Sequence, residues 1–171
     1  VGNTYAKVYY GMTQMDIYME AGDRAVISFD AKDPAGTFVF DGKKKEAVEY
    51  LRNVTLTPLP DETFALPLEE YLLKLEGKRD DALKLLDANA VNGAGDFVEM
   101  EKARIRYSYA TPILMYPVGH MLMAQNPVYV PGEDYYKAVE EYFVCDERLL
   151  DLDQYRNFII EAAHVLDPQN R

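Results

Sequence analysis

One cysteine, two histidines and no tryptophan in 171 residues leave little of the usual equipment for redox, metal or nucleophilic chemistry. Cys145 alone can make neither an intrachain disulfide nor a C-x-x-C redox couple. His120 and His164 have no second histidine or cysteine at metal-ligand spacing, which excludes a recognisable zinc signature. No G-x-G-x-x-G, phosphate-binding loop or nucleophile elbow occurs. Positive charge is also scarce: 18 Lys and Arg stand against 29 Asp and Glu, a net charge of −11. Such a surface repels phosphate backbones and anionic lipid, so neither nucleic acid nor membrane insertion is expected. The longest uncharged stretch, residues 107–132, carries Pro112, Pro117, Pro127, Pro131 and His120. It falls short of the roughly 20 apolar residues of a membrane helix. No apolar N-terminal segment with a basic flank is present either, so no targeting peptide is expected within these residues.

What is present is ordinary globular composition, 49% hydrophobic and 27% charged, enough for a packed core. Period-two alternation over 15–20 and 24–29, with Ala21-Gly22-Asp23 between them, predicts two strands and a tight turn. A plausible strand over 4–10 precedes them, and one over 37–40 follows the turn chemistry of Asp33-Pro34-Ala35-Gly36. After Gly42 the period becomes helical, with Ala47, Val48, Leu51 and Val54 on one face and Asp41 placed to cap. Leu68, Leu72, Leu75, Ala82, Leu83 and Leu86 keep one phase through Gly77, which predicts a single long helix. Asn92-Gly93-Ala94-Gly95 reads as a loop. Asp96 with Glu99 then opens a helix presenting Met100, Ala103, Tyr107, Ala110 and Leu114, which Pro112 and Pro117 should kink or split. A two-proline loop over 126–132 and helices from 134 to about 144 and from 147 to about 166 complete the chain. Strands first and helices afterwards give an α+β class: a short N-terminal antiparallel β-meander (1–42) and about five helices (43–171) packing on it as one compact unit.

Candidate chemistry is thin. His120 sits in the apolar run 117–122, where a packed, hydrogen-bonded ring is the default. Cys145 lies beside Asp146-Glu147, which disfavour the thiolate, so a buried structural cysteine at a helix junction is expected. The carboxylates Glu69-Glu70, Asp80-Asp81, Glu140-Glu141, Asp146-Glu147, Asp151 and Asp153 read as solvated helix faces. Fourteen tyrosines are the unusual feature, since each offers a flat apolar face and a polar tip to a sugar or peptide. Tyr9, Tyr10, Tyr107, Tyr109, Tyr142 and Tyr155 enter that list. Tyr107, Tyr142 and Tyr155 stand at core spacing, and the candidate binding surface is Tyr116, Tyr129, Tyr135 and Tyr136. No catalytic residue, metal ligand or cofactor site is assigned.

Several segments carry a resemblance. They are Ile17-Tyr18-Met19-Glu20-Ala21-Gly22-Asp23, Val26-Ile27-Ser28-Phe29-Asp30-Ala31, Thr37-Phe38-Val39-Phe40-Asp41-Gly42 and Glu49-Tyr50-Leu51. Residues 97–109 with Tyr116-Pro117, and residues 147–152 with Tyr155 and Phe158, join them. Together they resemble the N-terminal region and helical spacer of the TlpA-like, thioredoxin-family proteins of Bacteroidetes. In that family a C-terminal thioredoxin domain with a C-x-x-C pair performs thiol–disulfide exchange in the periplasm. The present sequence has no C-x-x-C, so no catalytic residue carries over. The resemblance implies a periplasmic accessory portion whose partner is a thioredoxin-like domain of the same polypeptide. Protein substrates or a second copy are further implied partners. A stand-alone sugar- or peptide-binding module is the alternative.

Overall fold

The computed structural model describes residues 4–89 and 96–169; the loop expected over 92–95 lies outside them. The class is α+β: strands β1 (Thr4–Tyr10), β2 (Thr13–Met19), β3 (Ala25–Ser28) and β4 (Val39–Gly42) precede five helices. These are α1 (Lys45–Asn53), α2 (Leu68–Ala88), α3 (Asp96–Met123), α4 (Glu133–Glu140) and α5 (Asp153–Leu166). Single 3-10 turns occupy Asp61–Ala65 and Glu147–Leu149. The contacts divide the chain into two compact units, one of Val1–Thr55 with Leu86–Met100, the other of Leu56–Leu85 with Glu101–Arg171.

In the first unit the strands form two antiparallel pairs, β1 with β2 and β3 with β4, rather than one continuous meander. Turn geometry explains the break. At 10–13 Gly11 has φ +57 in the first central position, the II′-like arrangement whose twist suits a hairpin. At 20–23 the positive φ belongs to Gly22 in the second central position (+85), a type II-like turn that splays the chains it joins. Asp23 locks that turn: its carboxylate accepts the Glu20 N–H at 3.0 Å and its own N–H reaches the Glu20 carbonyl at 3.0 Å. One face of β2 supplies Met15 and Ile17 to a core completed by Phe38, Phe40 and Val48. On the other face Tyr18 meets Tyr5 at 5.3 Å and Phe97 at 4.9 Å, edge to face.

α1 buries Ala47, Val48 and Tyr50, with Val54 just beyond its end. The sequence places Asp41 to cap it, and the structure corrects this: Asp41 pairs with Val26 in the β3–β4 ladder. The N-cap is Lys44, whose buried ammonium sits 2.7 Å from Glu20. From the last turn Arg52 donates to the carbonyls of Phe38 (2.9 Å) and Ala35 (3.0 Å), tying the 30–38 loop to the helix.

The second unit is helical. α2 runs unbroken through Gly77, burying Tyr71, Leu75, Ala82 and Leu86 along its length. α3 also stays one helix, and Pro112 and Pro117 do not split it. Each proline deprives one carbonyl, that of Ser108 or of Ile113, of its helical donor without ending the helix. Thr111 donates to the Tyr107 carbonyl at 2.8 Å, Tyr71 to that of Pro112 at 3.4 Å, and Tyr135 to that of Leu114 at 3.3 Å. α4 is shorter than expected, and the helix expected from 147 is divided into a 3-10 turn and α5. Asp146 starts that turn by accepting the Arg148 N–H at 3.0 Å, and Leu152 is buried between the two pieces. Tyr107, Tyr142 and Tyr155 are buried around Phe158, with Tyr107 and Tyr155 rings 5.0 Å apart. No described helix is long and apolar enough to cross a membrane.

Candidate aromatic site of the helical unit

The sequence pointed to Tyr116, Tyr129, Tyr135 and Tyr136, and the helical unit gathers the first two. Tyr116 lies on the inner face of α3, one turn before His120, and the rings stack at 5.1 Å. The segment after α3 turns back so that Tyr129 meets His120 at 4.6 Å and Tyr116 at 6.0 Å. On the other side Tyr71 of α2 packs on Tyr116 at 5.0 Å and on Phe64 of the 3-10 turn, also at 5.0 Å. Gly119 makes room for Phe64: a Cβ there would stand 2.5 Å from the ring. Tyr135 and Tyr136 form a separate edge-to-face pair at 5.2 Å.

The Tyr71 and Tyr116 hydroxyls of this cluster are committed to the main chain. Tyr116 donates to the Leu66 carbonyl at 2.8 Å, and Tyr109 to that of Thr57 at 3.3 Å. His120 Nδ1 is 2.8 Å from the Phe64 carbonyl; a carbonyl only accepts, so Nδ1 carries the proton and donates. This is the packed, hydrogen-bonded histidine its apolar run implied. Burial, with Tyr129 beside it, pushes the Tyr116 hydroxyl up to about 12, and burial with Tyr136 does the same for Tyr135. Both remain protonated donors at neutral pH. The cluster is therefore a staple that fastens residues 57–66 to α3.

Tyr116 and Tyr135 are buried, a correction to their expected place on a binding surface. They lie on inward helix positions, where burying a ring outweighs presenting it. Tyr129 and Tyr136 are half-buried. Among the tyrosines considered, the exposed ones are Tyr9 and Tyr10, which precede Gly11 at the β1–β2 turn near a fully exposed Met12. Cys145 is exposed, which corrects the expected buried cysteine. It falls in the irregular chain between α4 and the following 3-10 turn, where Tyr142 and Leu152 are the buried anchors. The paired carboxylates named above lie on exposed positions, with Asp146 half-buried. Arg148 hydrogen-bonds Asp146 and holds its carboxyl below the usual carboxylate range. No group of three or more metal-ligating side chains occurs among the described residues. A cleft lined by Leu72, Leu75, Glu76, Ile113, Ala138, Glu141 and Tyr142 holds about 30 Å³, room for a water or two. A drug-sized ligand needs roughly 300 Å³ or more.

The described residues thus define an α+β protein whose aromatic cluster is structural. Comparison with protein-family models, with curated proteins and with solved structures finds no match to the chain.

Proposed function

We propose that the chain is the non-catalytic N-terminal accessory portion of a periplasmic thiol–disulfide oxidoreductase, acting in partner recognition, positioning or dimerisation. Its first partner in this reading is a thioredoxin-like domain of the same polypeptide. The observation that carries the reading is the role of the N-terminal residues behind the resemblance: they help build the first unit. Ile17 and Phe40 are core, Tyr18 and Tyr50 pack on Phe97, Gly22 takes the positive φ and Asp23 locks its turn. Thiol exchange with turnover needs a dithiol that cycles, and this chain has one cysteine. In an insulin-reduction assay with dithiothreitol the isolated chain is expected to leave the rate at its uncatalysed value. A rate that rises with chain concentration and is lost in Cys145→Ser would refute the accessory role.

The exposed pair Tyr9 and Tyr10 favours a second reading, a sugar- or peptide-binding module with these rings as the contact in place of Tyr116 and Tyr135. Titration with glycans and peptides, followed by amide shifts over residues 9–12, distinguishes it. Saturable shifts abolished by Tyr10→Ala support it, and an unchanged spectrum removes it.

A further inference from the structure

The outer face of α3 carries a feature that neither the core nor the aromatic staple uses. Ser108, Thr111, Met115, Val118 and Leu122 follow one another at spacings of three, four, three and four residues. That is the heptad spacing by which one helix packs along another. The inner positions Tyr109, Ile113 and Tyr116 are buried, whereas Met115, Val118 and Leu122 are 56, 55 and 68% exposed. Isolated exposed apolar residues are commonplace on protein surfaces; a row of them at heptad spacing is not.

Charge selects the occupant. The chain carries −11 in total, yet no Asp, Glu, Lys or Arg occurs anywhere in residues 107–132. Two copies approaching by most surfaces would oppose acid to acid, and along this seam they would not. A basic partner would find no carboxylate on the seam to pair with. A second α3, apolar and uncharged at the same spacing, matches it residue for residue across a two-fold axis.

We propose that α3 pairs with α3 of a second copy through Thr111, Met115, Val118 and Leu122, forming a two-fold homodimer. A seam from residue 108 to 122 is roughly 21 Å long at 1.5 Å per residue. One helix face supplies less than the ~800 Å² per partner of a standard interface. The dimer is accordingly weak and concentration-dependent. The pairing is independent of whether a redox domain follows the chain.

Sedimentation velocity of the whole chain, from micromolar to near-millimolar concentration, tests the proposal. The expected result is a reversible monomer–dimer equilibrium whose dissociation constant rises at least about tenfold in Val118→Glu, the loss of 1.4 kcal/mol or more. Leu150→Glu, at an exposed apolar position off the seam, should leave the constant unchanged. A wild-type chain that stays monomeric throughout overturns the proposal, as does equal loss of dimer in Leu150→Glu. Circular dichroism confirms that each variant keeps its helices before it is scored.

Discussion

Tyr18 and Tyr116 are both fully buried tyrosines, and they should respond oppositely to loss of the hydroxyl. The Tyr116 hydroxyl donates to the Leu66 carbonyl, whereas the buried Tyr18 hydroxyl has no hydrogen-bond partner among the described residues. Removing a made bond costs about 1 kcal/mol, and removing an orphaned polar atom relieves a desolvation penalty. Tyr116→Phe should therefore lower stability by about 1 kcal/mol in urea unfolding, and Tyr18→Phe should be neutral or stabilising. Equal losses in both would contradict this contrast. Gly119 is the second sensitive position. An alanine Cβ would meet the Phe64 ring at 2.5 Å, and a stacked ring cannot swing aside as a flexible chain end can. Overpacking of this kind costs about 1–3 kcal/mol, readable as a lower urea midpoint with an unchanged slope. Neither effect is legible in the sequence, because the partners lie 50 residues or more away along the chain.

Elements with long periodic faces were the most legible. The unbroken phase of apolar positions from Leu68 to Leu86 foretold one helix through Gly77, and α2 is that helix. Gly77 is exposed with nothing near the site of a Cβ, so Gly77→Ala should raise stability by about 1 kcal/mol. Thermal unfolding with an unchanged or lowered midpoint would count against that geometry. Prolines in α3 did not split it as they could have, because a proline costs a helix only one backbone bond and the remaining turns continue past it. Asp41 misled because strand pairing with Val26 claimed it before the helix could. The strand pairs turned on which residue of each turn holds the positive φ, and both turns simply contain a glycine when read as sequence. The staple between residues 57–66 and α3 gives an alkaline prediction. An unfolded tyrosine ionises near 10, and Tyr116 and Tyr135 are held to about 12. A raised value for a group that must stay neutral gives stability that is complete below pH 10 and lost as pH climbs towards 12. The urea midpoint should fall across that window, less steeply in Tyr116→Phe. A midpoint independent of pH between 9.5 and 11.5 would contradict the burial of these hydroxyls.

At the scale of the whole molecule, strands followed by helices sufficed to read the α+β class from the sequence. Where the compact units divide was beyond reach, because α2 and α3 each contribute residues to both. The candidate surface was half legible. The sequence identified tyrosine as the unusual residue, but burial, which decides whether a ring binds a ligand or a neighbour, depends on contacts distant in the chain. With Tyr116 committed to Leu66 and His120 to Phe64, the aromatic cluster fastens residues 57–66 to α3. That leaves the accessory role as the central claim, and reading the codons that follow Arg171 in the intact gene tests it most directly. The account predicts an open frame running into a thioredoxin-like domain with a C-x-x-C pair. A stop codon directly after Arg171, or a continuation without such a pair, would contradict it.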